Sequence, residues 1–114
     1  MVSTAAYVPD RGDIVWISFD PQAGHEQAGR RPALVLSPAL YNRITRLALL
    51  CPITNRVKGY LYEVQFPAGL AVTGVVLSDQ VKNLDWHVRN AVFICKAPQN
   101  VMTEVLQKLG SLLS

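Results

Sequence analysis

No apolar run in this chain outlasts a β-strand. DIVWISF (13–19), PALVLS (32–37), LALLCPI (47–53), YEVQF (62–66) and GVVL (74–77) are short runs with turn signals between them. Their β-branched and aromatic content suits a pleated, half-buried backbone, and YEVQF alternates as a strand with one wet face does. Proline is tolerated at a strand's first residue, so Pro32 opens the second run and Pro38 closes it. Residues 84–94 hold one or two further strands. The period then changes: Val101, Met102, Val105, Leu106, Leu109, Leu112 and Leu113 recur at helical spacing behind Pro98. That predicts a C-terminal amphipathic helix, with Gly110 weakening its last turn. A shorter helical turn is expected over 39–43. Short strands between turn signals, finished by one helix, predict a mainly β fold: a small antiparallel barrel, closed or nearly closed, with the helix laid over it.

With 114 residues the chain forms a single domain, 1–114, large enough for its own core. Hydrophobic residues at 50% against 17% charged exclude the disordered class. No stretch approaches the ~18 apolar residues of a membrane span, and the opening MVSTAAYVPD lacks a basic segment followed by an apolar one. A soluble, unsecreted, cytoplasmic protein is expected. Cys51 and Cys95 sit inside apolar runs without metal-ligand spacing, so both read as buried free thiols, and no metal or cofactor is expected.

The net charge is only +3, but it is unevenly distributed. Arg30, Arg31, Arg43, Arg46, Arg56 and Lys58 lie between Gln27 and Tyr62 with no acid among them. Such clustering is the footprint of a polyanion partner, and equally that of a solvated basic face. Four polar groups fall at strand ends: Gly24-His25-Glu26-Gln27 with Arg30-Arg31, Thr54-Asn55-Arg56 with Lys58, Asp79-Gln80 with Lys82, and the pair Arg43 and Arg46. There is no Ser-His-Asp pattern, phosphate-cradling glycine loop or acid cluster for magnesium. Cleavage of RNA needs none of these, because the ribose 2′-hydroxyl is the nucleophile. The protein must take that proton, protonate the departing 5′ oxygen and stabilise the phosphorane. Each candidate also has a structural reading: Arg31 as a strand-end charge or a partner for Glu26, Thr54 and Asp79-Gln80 as turn formers, His25 as a surface imidazole, Trp16 and Trp86 as core or interface.

Taken together, DRGDIVWISFDPQAGHEQAGRRPALVLSP, YNRITRLALLCPIT, KGY and VVLSDQVKNLDW resemble the MazF/PemK family of toxin endoribonucleases, which includes the Kid toxin. The resemblance implies an SH3-like β-barrel with a C-terminal helix, of MazF, Kid and CcdB type. It further implies a homodimer, metal-independent cleavage of single-stranded RNA at short sequences, and neutralisation by a cognate antitoxin, with operator DNA met only through the antitoxin complex. Carried over by position, the family's R-P arginine falls on Arg31 and its P-x-T threonine on Thr54. His25 and Asp79 match the Kid histidine and aspartate, while Leu77 stands where the Kid branch has arginine. The catalytic set implied is therefore Arg31 and Thr54, with His25 or Glu26 as the base. Gln27, Asn42, Arg56, Lys58, Asp79, Gln80 and Lys82 are the candidate RNA contacts. Arginine holds its proton to a pKa of roughly 12 or more, which suits it to stabilising a phosphorane rather than acting as a base. The competing class is a non-catalytic barrel: a binding module, or a toxin of the gyrase-poisoning kind.

Overall fold

The computed structural model describes residues 7–19 and 29–114. Along the chain run β1 (Asp13–Ser18), β2 (Arg30–Val35), α1 (Ala39–Thr45), β3 (Leu47–Thr54), β4 (Glu63–Gln65), β5 (Val75–Leu77), β6 (Lys82–Asp85), β7 (Val92–Lys96) and α2 (Gln99–Leu113). All five strand-sized runs form strands, and the 84–94 stretch resolves into β6 and β7 around a turn. Helix α2 starts directly after Pro98 and passes through Gly110 to Leu113. The weaker helical turn extends to a seven-residue helix, α1.

Every strand pairing is antiparallel. The order is β4-β5-β3-β2-β1-β7, with β6 also on β3. Strand β3 is the hub. One edge carries β2, and the other carries β6 from Leu47 to Leu50 and then β5 from Ile53 to Thr54. Pro52, which has no N–H to donate, lies in the gap where β6 gives way to β5. Because β4 and β7 end the path, the sheet is not closed.

Alternation along the strands builds a core on each face. Ile14, Leu34, Cys51, Ile53, Val64 and Val76 meet Val101, Met102 and Val105 of α2. On the other face Val15, Ile17, Ala33, Val35, Ala48 and Leu50 pack with Trp86. The 86–91 turn crosses this second face, braced where the Arg30 guanidinium donates to the carbonyls of Arg89 (3.1 Å) and Asn90 (2.6 Å).

Pro38, at the N-cap of α1, offers no side-chain acceptor. Asp10 supplies one from the N-terminal segment, its Oδ1 accepting the Ala39 N–H at 2.9 Å. The helix ends at Arg46 in the left-handed region, φ 64°. Just after Asp10 in the chain, Asp13 is clamped inside: the Tyr7 hydroxyl donates to its Oδ2 at 2.6 Å and Lys96 pairs with its Oδ1. Burial and the neighbouring carboxylate push the Tyr7 phenol well above its ordinary value.

Candidate active site

The register of β2 on β3 pairs Ala33 with Pro52 and Val35 with Leu50. Continued two residues further in both strands, the same register sets Arg31 opposite Thr54. A cross-strand pair shares a face and stands about 5 Å apart at Cβ. Arg31 is half-buried in β2, opposite Ile17 on its other side. Thr54, the last residue of β3, is 6% exposed. Arg30 braces the 86–91 turn, while alternation puts Arg31 on the face of Ala33 and Val35.

The Thr54 hydroxyl oxygen accepts the Arg56 N–H at 3.1 Å. Among the described residues no acceptor takes its proton, so that proton can be donated to an oxygen arriving from outside. Behind it the backbone is fixed by Gly74. This glycine has φ +100°, and a Cβ there would stand 2.2 Å from the Thr54 carbonyl oxygen and 2.8 Å from Asn55 Oδ1. The Thr73 hydroxyl donates to Asn55 Oδ1 at 2.8 Å. Arg56 and Lys58, both exposed, follow on the next loop.

The 78–81 link between β5 and β6 runs beside β3. Asp79 is exposed, and Gln80 and Lys82 are half-buried. Lys82 pairs with Leu50, which places it about 13 Å along β3 from Thr54 at ~3.3 Å per residue. Leu77, where the Kid branch carries arginine, is buried in β5. Burial, reinforced by the charge of Asp79, pushes the Cys51 thiol up to about 12, and burial raises Cys95 as well. Neither is a thiolate at neutral pH, so neither is a nucleophile. Cys51 is buried as expected, whereas Cys95 is only partly so, and both are free.

Asn42 requires a correction. It is 0% exposed and cannot contact RNA. Its amide donates to the carbonyls of Pro9 (2.8 Å) and Ser37 (3.0 Å), and its Oδ1 accepts the Ser37 hydroxyl at 2.6 Å. The Trp86 indole N–H donates to its backbone carbonyl at 2.9 Å. It is a structural junction at the opposite end of β3 from Thr54. Arg43 and Arg46 lie at that same far end, so the basic third of the sequence is divided between two ends of one strand. His25, Glu26 and Gln27 fall outside the described residues.

Two features escaped sequence reasoning. Gly74 reads simply as the start of an apolar run, because nothing local shows which backbone presses on it. Glu63 reads as a polar position in an alternating strand, whereas its carboxylate accepts the backbone N–H groups of Lys58 and Gly59.

The fold as a whole has close counterparts. MazF from Deinococcus radiodurans (Form-I crystal) superposes with a TM-score of 0.92 at 59% identity, covering 95% of this chain and 98% of that one. The MazE-MazF complex of the same organism (Form-II) matches with a TM-score of 0.85 at 52% identity over 96% and 98% of the two chains. This architecture, a mainly antiparallel sheet with a C-terminal helix, is therefore the MazF fold. The endoribonuclease toxin MazF of Escherichia coli K12 is 52% identical over 85 residues, 75% of this chain and 76% of that protein. The family model of PemK-like, MazF-like toxins of type II toxin-antitoxin systems matches residues 10–113, and the chain belongs to that family.

Proposed function

We propose that this chain is a toxin endoribonuclease that cuts single-stranded RNA at a short specific sequence without a metal ion. The observation that carries the reading is the β2–β3 register, Ala33 opposite Pro52, whose continuation brings Arg31 toward Thr54 at a strand end followed by Arg56 and Lys58. In the reaction the ribose 2′-hydroxyl loses its proton to a base and its oxygen bonds to the adjacent phosphorus. The P–O5′ bond breaks, and the departing 5′ oxygen takes a proton. The products are a 2′,3′-cyclic phosphate and a 5′-hydroxyl. The Arg31 guanidinium, planar and permanently charged, stabilises the phosphorane and donates toward the leaving oxygen. Thr54 donates its hydroxyl proton to a non-bridging oxygen. The base is drawn from His25 and Glu26, and a correctly placed base contributes on the order of 10²–10⁴ in rate. Gln27, Arg56, Lys58, Asp79, Gln80 and Lys82 are the contacts that hold and read the strand. Duplex RNA is protected, because its deep, narrow major groove hides the base edges.

A cognate antitoxin neutralises the toxin in the cytoplasm, as complex formation by the D. radiodurans relative supports. An acidic segment of such a partner would suit the basic groups around Thr54, and operator DNA is met only through that complex. The apolar row Val92, Trp16 and Pro32, in which Trp16 is 40% exposed, supports protein contact, including contact within a homodimer.

The test is incubation of the purified protein with a long single-stranded RNA in EDTA, with every cut mapped and its ends identified. Discrete cuts ending in cyclic phosphate, abolished by a single 2′-deoxyribose at the cut, are expected. A 5′-phosphate product would exclude the 2′-hydroxyl route, and RNA binding without cleavage would leave a non-catalytic barrel. If His25→Ala leaves kcat unchanged across pH, the base is not His25.

A further inference from the structure

Strand β3 ends at Thr54, and the next residue is already exposed, so the strand itself does not hold the turn that follows. The backbone nevertheless leaves in a defined way. The Arg56 N–H bends back to the Thr54 hydroxyl oxygen at 3.1 Å, and the Val57 N–H donates to the Asn55 carbonyl at 3.0 Å. Strand β5 supplies the reason. Its antiparallel register sets Thr54 opposite Val75, so Thr73 and Gly74, entering β5, lie beside Asn55 and Arg56, leaving β3. A Cβ on Gly74 would stand 2.8 Å from Asn55 Oδ1, so glycine admits the approach, and the Thr73 hydroxyl donates to that same oxygen at 2.8 Å. The Asn55 carboxamide is thereby clasped across the strand pair.

The clasp bears on the Thr54 side chain. A threonine hydroxyl has one proton and two lone pairs. The Arg56 N–H occupies one lone pair, and among the described residues no acceptor takes the proton, which is left for an arriving phosphate oxygen. That arrangement lasts only while residues 54–56 keep their turn, and local bonds at an exposed strand end open readily to water. We propose that Thr73 and Asn55 are positioning residues for RNA cleavage: their side-chain hydrogen bond holds the 54–56 turn, and the turn aims the Thr54 hydroxyl at the scissile phosphate. Neither residue needs to touch RNA. The inference rests on the ribonuclease reading and deepens it by naming what keeps its donor aimed. Its size has a ceiling, because misaiming a donor costs no more than removing it, and removal costs roughly 10²–10³ in kcat.

The experiment uses the full chain and an oligoribonucleotide spanning the mapped cut. Thr73→Val, which keeps the shape and deletes the hydroxyl, is expected to lower kcat about tenfold with KM within about twofold. Thr73→Ser, which keeps the hydroxyl, retains the wild-type rate, and Asn55→Ala matches Thr73→Val. In a Thr54→Val background Thr73→Val costs nothing further, because it acts through that hydroxyl. Hydrogen exchange of the Arg56 N–H, followed by NMR without RNA, quickens in Thr73→Val and in Thr54→Val alike. An unchanged kcat in Thr73→Val overturns the inference. So does an equal loss in both backgrounds, which would make Thr73 an independent contact or a general prop, and so does a raised KM at constant kcat. Arg56 exchange as slow in Thr73→Val as in the wild type overturns it as well. If the wild type cleaves no RNA, the ribonuclease reading falls, and the Arg56 exchange alone then decides whether the clasp holds Thr54.

Discussion

The two ends of β3 carry similar residues and do opposite things. At the Leu47 end, Asn42, Ser37 and the Trp86 indole form a buried cluster in which each polar group has a protein partner, the Ser37 hydroxyl oxygen also accepting the Leu49 N–H at 2.8 Å. At the Thr54 end the hydroxyl proton has no acceptor among the described residues, and Arg56, Lys58 and Tyr60 face solvent. Both ends hold arginines and an asparagine, so composition cannot distinguish them. What distinguishes them is whether hydrogen-bonding capacity is satisfied internally, because a saturated cluster stabilises a fold and an unsaturated one can bind.

The contrast can be tested by mutation. Arg31→Ala is expected to lower kcat for RNA cleavage by roughly 10²–10³, the usual cost of removing one donor to developing charge, whereas Arg46→Ala at the far end should leave it within about twofold. Equal losses would erase the distinction between the ends. Gly74→Ala forces a Cβ onto the Thr54 carbonyl and strains a positive φ, and unfolding in urea should show a loss of about 2–4 kcal/mol. Asn42→Ala leaves buried partners unsatisfied and should cost about 1–3 kcal/mol, with cleavage per folded molecule preserved. A fall in kcat without loss of stability would return Asn42 to the site.

The smallest effect expected is on the acid limb of stability. The Ala39 N–H, ahead of the Arg11 N–H and against partial burial, holds the Asp10 carboxyl below its ordinary 3.8. A carboxyl with a lowered folded-state value stabilises the fold above that ordinary value, and the contribution is lost as pH falls through the folded value. Asp10→Asn should therefore flatten the pH dependence of thermal stability below about pH 4, its small loss of stability showing at neutral pH and vanishing in acid.

Much of the fold was legible because it follows from local rules. Short β-branched and aromatic runs between turn signals marked the strands, the 3.6-residue period marked α2 and Pro98 its start. The strand-end positions of Arg31 and Thr54 were legible through their motifs. Asn42 was misread because an asparagine beside Arg43 in a basic stretch looks solvent-facing, and only the convergence of Pro9, Ser37 and Trp86 buries it. The same blindness hid Glu63, whose partners are backbone N–H groups of a loop that has no signature of its own.

The sequence alone determined which segments form strands, which one coils over them, and where along the chain charge collects. Hydrophobic period and turn chemistry are properties of neighbouring residues. Tertiary structure decided that the first of two adjacent arginines braces the 86–91 turn. It also decided that the basic third is split across one strand, and that Gly74 has room for no side chain. Those outcomes depend on register and on the approach of distant backbone, which are set by the whole sheet at once.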